Sequence, residues 1–338
     1  MFLKLVPDTT SIPFTKFRMT AAAFSALLVI GSIFALFTVG LNFGVDFRGG
    51  VTIEVADDEP IDIGSVRDAM RPLNLGDVKV QETVDFAGGD PAVVIFIEQQ
   101  AARNDAGDEA APAEITDNDE IRAGEVAQQD ALVAAKDALK ALLGDDAQFR
   151  KTDVVGPVVS GELIEKGVTA VVISLFFMLI YIWAQFEWQF SVGAIAALAH
   201  DVIITLGMFT VTQLEFKLEI IAAILTIVGY SMNDTVVVYD RVRENLRKFK
   251  KKDLTEVIDI SINETLSRTI MTSVTTLLAL GSLYVFGGEV LRGFTFAMIW
   301  GVVIGTYSSI FVASPILMAT GVKRDWSKAA AEQQPATP

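Results

Sequence analysis

Six apolar runs, each near the length needed to cross a bilayer, constrain this 338-residue chain more than anything else in it. A helix rises 1.5 Å per residue, so about 20 apolar residues span a hydrocarbon core of about 30 Å. The runs cover residues 19–40, 167–184, 190–212, 218–239, 269–287 and 294–319. They predict a polytopic α-helical membrane protein with six transmembrane helices. Lys4, Lys16 and Arg18 precede the first run, as in a secretory signal. Its apolar core is too long for one, however, and TVGLNFGVDF at its end lacks a small-x-small cleavage site. The expectation is an uncleaved anchor.

Basic residues in short flanks set orientation. They sit in the N-terminal segment 1–18, in the loop expected at 240–268 (Arg241, Arg243, Arg247, Lys248 and Lys250–Lys252), and in the tail 320–338 (Lys323, Arg324, Lys328). With six spans all three fall on one side, which the rule makes cytoplasmic. The segment 41–166 then faces outward. The chain's net charge of −15 belongs to that segment, since residues 41–165 carry 27 acidic and 10 basic side chains.

The outward segment reads as strand Val51–Ala56, helix Ile63–Leu73, strands Val78–Val84 and Ala92–Glu98, helix 121–143 and strand 147–155. Leu132, Ala135, Leu139 and Leu142 mark one apolar helix face. A β-α-β-β-α-β order predicts an α+β ferredoxin-like periplasmic domain, one sheet face covered by helices and the other open. The stretch QQAARNDAGDEAAPAEITDNDE at 99–120 is acidic, Ala-rich and short of large apolar residues, so a mobile insertion is expected. FRGG at 47–50 reads as a turn opening the first strand.

Several chemistries are excluded. The chain has no Cys, hence no disulfide, thiolate nucleophile or Cys-ligated metal, and its single His rules out a His-rich site. No phosphate-cradling Gly loop or nucleophile triad appears, so neither enzyme activity nor a cofactor or metal site is expected. The Lys/Arg cluster at 241–252 beside a membrane points to topology and anionic lipid rather than to nucleic acid. Two N-x-T sequons, at Asn233 and Asn263, fall in the membrane and on the cytoplasmic side and carry no glycan.

Four residues in or at the edge of the spans are candidates for chemistry. Asp234, in GYSMNDTVVVYDRVRE (229–244), lies roughly 9 Å before the inner end of the fourth. A bare carboxylate there costs at least a few kcal/mol unless it is protonated, paired or hydrated. Desolvation and a nearby cation act on its ionisation in opposite senses, which is the setting of a proton-loading group. A helix-packing Asp bonded to Ser or Thr fits the same pattern. Arg268, in ETLSRTIMTSVTTLLALGS, opens the fifth span at similar depth on an antiparallel neighbour. Arg keeps its proton, so it is either a fixed charge that Asp234 pairs with and leaves, or an anchor to headgroups. His200 and Asp201, in AALAHDVIITLG, lie near the middle of the third span and read as a proton relay or as a structural pair. Gly301, Gly305 and the small residues of TTLLALGS are assigned to helix packing.

Taken together, GLNFGVDFRGG, VVGPVVSGELIEKG, HD, GYSMNDTVVVYDRVRE and ETLSRTIMTSVTTLLAL resemble the SecF subunits of bacterial SecDF preprotein translocases, in the resistance-nodulation-division superfamily. The resemblance runs from about residue 14 to 325. It implies a multi-pass protein of the bacterial inner membrane with both termini cytoplasmic. It implies partnership with SecD, the SecYEG channel, YajC-like and YidC-like accessory proteins, membrane lipids and unfolded preprotein. Implied too is use of the proton-motive force to complete preprotein translocation and prevent backsliding, with Asp234 and Arg268 as the coupling residues. The rival reading is half of a proton-driven small-molecule or lipid exporter of the same superfamily. An assembly factor in which Asp234 and Arg268 are purely structural is a third.

Overall fold

The computed structural model describes residues 10–57, 60–83, 92–98, 117–144 and 147–322, with backbone only at 117–123, 157–160 and 289–290. Lys4, most of the 99–120 insertion and the basic tail from Lys323 lie outside the described residues. The chain divides into two compact units, one made of Phe43–Ala170 with Phe216–Leu218, the other of the remaining residues.

Helix α1 spans Arg18–Thr38 and is entered through a 3-10 turn, Phe14–Phe17. The smaller unit follows: a one-turn helix α2 (Val45–Arg48), β1 (Gly50–Ala56), α3 (Ile63–Met70), β2 (Val78–Thr83), β3 (Ala92–Ile97), α4 (Asp117–Leu143) and β4 (Gln148–Val155). Its four strands form one antiparallel sheet in the order β2-β3-β1-β4. The register sets Val51, Ile53 and Val55 opposite Ile97, Ile95 and Val93. These six pack with Val66 and Met70 of α3 and Ala131, Leu132, Ala135 and Leu139 of α4 into one buried core. Leu142, expected on that face, is exposed, and Ala131 takes part instead. The second face of the sheet is not open at its centre. Thr52 and Glu54 of β1 are buried, flanked by Phe96 with Asp153 and by Val94 with Lys151 directly across. A central strand with a neighbour on each side has no free flank.

The other five long helices follow: α5 (Pro157–Gln185), α6 (Trp188–Thr212), α7 (Leu218–Lys248), α8 (Leu254–Phe286) and α9 (Glu289–Ser308), which continues through a π-helical turn, Ser309–Ala313, into α10 (Ser314–Thr320). Among the described residues, six helical segments are long and apolar enough to cross a membrane. Helix α5 leaves Phe176, Phe177 and Trp183 exposed, as a lipid-facing helix does, whereas α6 and α7 are largely buried.

The expected loop at 240–268 is a correction. Helix α7 runs on to Lys248 and α8 begins at Leu254, so five residues turn the chain. Beneath the charges lies a buried stripe: Tyr239, Val242 and Leu246 meet Val257, Ile258 and Ile262 in the same apolar cluster. Asn245 joins it by bonding Ser261 Oγ (3.1 Å) and Glu264 Oε2 (2.7 Å). Every third or fourth residue is buried, so the segment forms a helical hairpin that packs on itself.

The π-turn has a local cause. Pro315 has no N–H to offer the Phe311 carbonyl and its ring crowds the preceding turn, so the α ladder cannot continue unchanged. Ser314 Oγ donates to the Ser309 carbonyl at 3.0 Å and Tyr239 Oη to that of Ala313 at 2.9 Å. The widened turn thus stays hydrogen-bonded.

Candidate functional site

Two carboxylates meet the end of α9 in the interior of the helical unit. Asp201 is fully buried on α6, and Asp234 is buried on α7. Asp201 Oδ2 accepts from Ser231 Oγ of α7 (2.6 Å) and from Ser308 Oγ of α9 (2.7 Å). Its Oδ1 lies 2.9 Å from His200 Nδ1. Asp234 Oδ1 accepts from Thr269 Oγ1 of α8 (2.6 Å), and its Oδ2 takes a short bond from Ser309 Oγ, the first residue of the π-turn. Nearby, Ser273 and Thr306 hydroxyls bond at 2.7 Å and join α8 to α9.

Close helix approach makes these bonds reachable. A Cβ on Gly301 would sit 2.2 Å from Ile227 Cγ1, and one on Gly305 3.0 Å from Ser231 Cβ. The small-residue pair on α9 therefore seats it on α7 at the level of Ser231. Gly281 of TTLLALGS, expected to pack likewise, faces open space: a Cβ there would meet nothing within 4 Å.

The structure brings Asp234, Asp201 and His200 into this interior and leaves Arg268 exposed at its edge, near enough for its charge to act on Asp234. Arg268 is exposed and makes no ion pair with Asp234. The reason is helical phase. Successive residues on a helix point about 100° apart. Thr269, the next residue, faces α7 and bonds Asp234, which turns Arg268 outward. Hydroxyls stand where the cation was expected. A hydroxyl both donates and accepts, so Thr269 and Ser309 can satisfy Asp234 with or without its proton, which a guanidinium cannot do. His200 is buried, its Nε2 without a hydrogen-bond partner among the described residues and its ring stacked 6.1 Å from that of Tyr307. The hydroxyl of Tyr307 in turn bonds Ser25 (3.0 Å) and donates to the Ala21 carbonyl (3.1 Å) on α1.

Sequence profiles decide the family. That of the protein export membrane protein SecD/SecF, C-terminal, matches residues 134–323, and that of the SecD/SecF GG motif matches residues 34–56. Relatives named protein translocase subunit SecF align over nearly the whole chain. That of Rhodobacter capsulatus is 43% identical over 329 residues, covering 96% of this chain and 94% of the relative. That of Cereibacter sphaeroides is 44% identical over 328, with the same coverage.

The chain belongs to the SecF family.

Solved SecDF structures agree with that membership. The Thermus thermophilus SecDF crystal structure superposes with a TM-score of 0.76 at 30% identity, over 94% of this chain. A second, SecDF in a super-membrane-facing form, gives 0.61 at 29% identity over 98%. This chain spans 39% and 41% of those two chains. Membership and the six apolar helices together make this a multi-pass membrane protein.

The SecD/SecF GG segment reads from sequence as a turn only. Gly49 and Gly50 have φ of 67° and 120°, so they need the freedom of glycine. Just before them Asp46 Oδ2 accepts from the Leu218 backbone N–H at 2.8 Å, capping the first residue of α7. Phe43, Phe47 and Phe216 cluster around that cap, with ring centroids 5.6–5.9 Å apart. Sequence reasoning offers Ser or Thr as partners of Asp234 but does not identify which hydroxyls, and misses those on Asp201. Their one visible signal is the polar run TYSS before Pro315 in an otherwise apolar span.

Proposed function

We propose that this SecF-family chain is an accessory subunit of the Sec protein-export machinery that uses the proton-motive force, with a SecD-type partner, to complete preprotein translocation and prevent backsliding. In this reading Asp234 is the coupling group, loaded and unloaded as protons cross. The observation that carries it is the shell around Asp234. Two hydroxyls on two other helices hold the carboxylate, and no fixed cation among the described residues pairs with it. Either proton state finds partners, so the group can change state without stranding a buried charge or an unpaired donor.

The Thr269 and Ser309 bonds tie α7 to α8 and to the π-turn, so a change at Asp234 alters how three helices are held. One proton crossing about 150 mV delivers roughly 3.5 kcal/mol. That biases a two-state equilibrium by a few hundredfold, enough for one step of a ratchet. Arg268, exposed here, acts as the fixed charge that Asp234 meets in another state, or faces the SecD-type partner. His200 and Asp201 form the second, deeper part of the relay. The antiparallel sheet with its two helices is assigned as a ferredoxin-like domain on the periplasmic side, and the α7–α8 hairpin and both termini as cytoplasmic. Its β-α-β-β-α-β element order and β2-β3-β1-β4 strand order support the first assignment. The basic residues near the hairpin support the second.

The test uses inside-out vesicles holding SecYEG, the SecD-type partner and this chain, with a preprotein arrested part-way and ATP then exhausted. A proton gradient should drive completion with wild type and not with Asp234→Asn. Equal completion by both, with the variant assembled normally, would show the carboxylate to be structural and the reading wrong.

A further inference from the structure

The two buried carboxylates contact neighbouring residues of a single helix end. Ser308 donates to Asp201 and Ser309 to Asp234. A second link closes the circuit. Ser231, which also donates to Asp201 Oδ2, lies one turn before Asp234 on α7. The path Asp234–Ser309–Ser308–Asp201–Ser231 therefore returns to the helix it started from. It crosses α6, α7 and the α9 end through hydrogen bonds and covalent neighbours alone.

Each serine has a second acceptor within reach. Ser308 Oγ lies 3.2 Å from the Gly305 carbonyl, and Ser309 Oγ lies 3.1 Å from that of Thr306. Each has one proton to give, so it serves the carboxylate or the carbonyl one turn back. A carboxylate that takes up a proton no longer needs the serine proton and can donate to the serine oxygen instead. The serine then turns its own proton to the carbonyl. The wide turn Ser309–Ala313 starts at this pair, and its ladder is completed by the Ser314 and Tyr239 hydroxyls. Such turns adjust more readily than an unbroken α-helix.

We propose that Ser308 and Ser309 are positioning residues that tie the proton state of Asp234 to Asp201, so that the two carboxylates respond as one unit through the α9 end. This rests on the reading of Asp234 as the coupling group. It adds a role for hydroxyls that touch the two carboxylates separately. The titratable and charged groups around the cluster are His200 and Asp201 on α6, Tyr230 and Tyr239 on α7, Tyr307 on α9 and, turned outward at its edge with its charge still acting on Asp234, Arg268 on α8.

The decisive variant is Ser308→Ala, because Ser308 touches Asp201 and not Asp234. The full chain with its SecD-type partner is reconstituted in proteoliposomes and titrated by infrared difference spectroscopy. The readout is the carboxylic C=O band that Asp234→Asn removes. Under the proposal, Ser308→Ala moves the midpoint of that band by about half to one pH unit, the part transmitted to Asp234 of a bond worth about one to two units at Asp201. Ser308→Thr, which keeps the hydroxyl, restores it. An unmoved midpoint in Ser308→Ala, with Ser309→Ala moving it, overturns the coupling and leaves Asp234 bonded locally. A change in thermal stability alone overturns it too, since a structural role would do that without moving the midpoint. The vesicle assay with Asp234→Asn is read separately. Loss of gradient-driven export with an unmoved Ser308→Ala midpoint sinks only the coupling. Unchanged export with a moved midpoint sinks the export reading and leaves the coupling standing.

Discussion

Gly193→Ala should fail for one identifiable reason and be rescued by removing a single oxygen. A Cβ on Gly193 of α6 would stand 2.1 Å from Tyr239 Oη, 3.3 Å from Tyr239 Cζ and 3.1 Å from the Ala313 carbonyl. Ordinary contact begins near 3.4 Å, so the hydroxyl must retreat by about 1.3 Å. The ring cannot follow easily, because Phe190 and Phe186 pack edge-on at 5.2 and 6.0 Å. The 2.9 Å bond from Tyr239 to Ala313 is then lost at a fully buried site. An orphaned buried pair costs about 1–3 kcal/mol and overpacking costs a similar amount, so about 2–6 kcal/mol is expected in all. Tyr239→Phe alone should cost about 1 kcal/mol. In the Phe background the new methyl enters the space the hydroxyl left, so the double variant should be no less stable than Tyr239→Phe. Equilibrium unfolding of the four proteins in one detergent gives a coupling energy as large as the cost of Gly193→Ala itself, about 2–6 kcal/mol, if this is right. Additive losses, within about 0.5 kcal/mol, would show that the Gly193 methyl collides with something else and that the Tyr239 bond does not set the approach of α6 to the π-turn.

Three further outcomes follow from separate parts of the chain. Asn263 on α8 pairs both backbone groups of Ile12 at 2.9 Å, and Asp259 accepts from the Thr15 N–H (2.8 Å) and hydroxyl (2.7 Å). Asn263→Ala should therefore loosen residues 10–17, seen as faster amide exchange there by about tenfold, with other segments unchanged. In the smaller unit Asp62 caps α3, and bonds from the Ser65 hydroxyl and N–H hold its carboxyl below the usual carboxylate range. The cap's contribution is present above the ordinary aspartate value of about 4 and is lost as pH falls through the depressed value. Asp62→Ala should thus speed exchange in α3 at neutral pH, with the difference from wild type vanishing at strongly acid pH. Ile53, fully buried in β1, should cost about 2–5 kcal/mol when cut to Ala, read as a lower unfolding midpoint of the full chain.

The six spans could be read from the chain because a bilayer demands length and apolarity together, and both are additive along a sequence. The strands of the smaller unit were readable for a related reason, since alternation such as Val51, Ile53, Val55 writes burial directly into residue order. What escaped reading depends on pairs of elements. The α7–α8 hairpin looked like a charged loop because Asp240, Arg241, Arg243, Glu244, Arg247 and Lys248 outnumber its buried stripe of Val242, Asn245 and Leu246. The depth of Arg268 was predictable, but its direction was not, for that depends on the phase of α8 against α7. That Ser or Thr could bond Asp234 was legible, but Ser231, Thr269, Ser308 and Ser309 could not be singled out, because a hydroxyl in an apolar run usually bonds its own helix. Thr226, Thr205 and Thr275 do just that here, each to a carbonyl one turn back.

If Asp234 is the coupling group proposed above, magnitudes favour hydroxyls over a cation as its partners. Breaking a buried carboxylate–guanidinium pair costs about 3–5 kcal/mol, because each charge is left without its partner. That equals or exceeds the roughly 3.5 kcal/mol that one proton delivers across about 150 mV. A permanent Asp234–Arg268 pair would consume the driving force in its own rupture. Exchanging a hydroxyl between a carboxylate and a carbonyl 3.1 Å away replaces one bond by another, at a net difference of about 1 kcal/mol. Most of the proton's free energy is then left for moving helices. On this account a variant that forces a standing ion pair on Asp234, such as Thr269→Lys, should stop gradient-driven export as fully as Asp234→Asn does, even though it keeps the carboxylate. Export by Thr269→Lys at the wild-type rate would mean that the carboxylate works without changing its proton state.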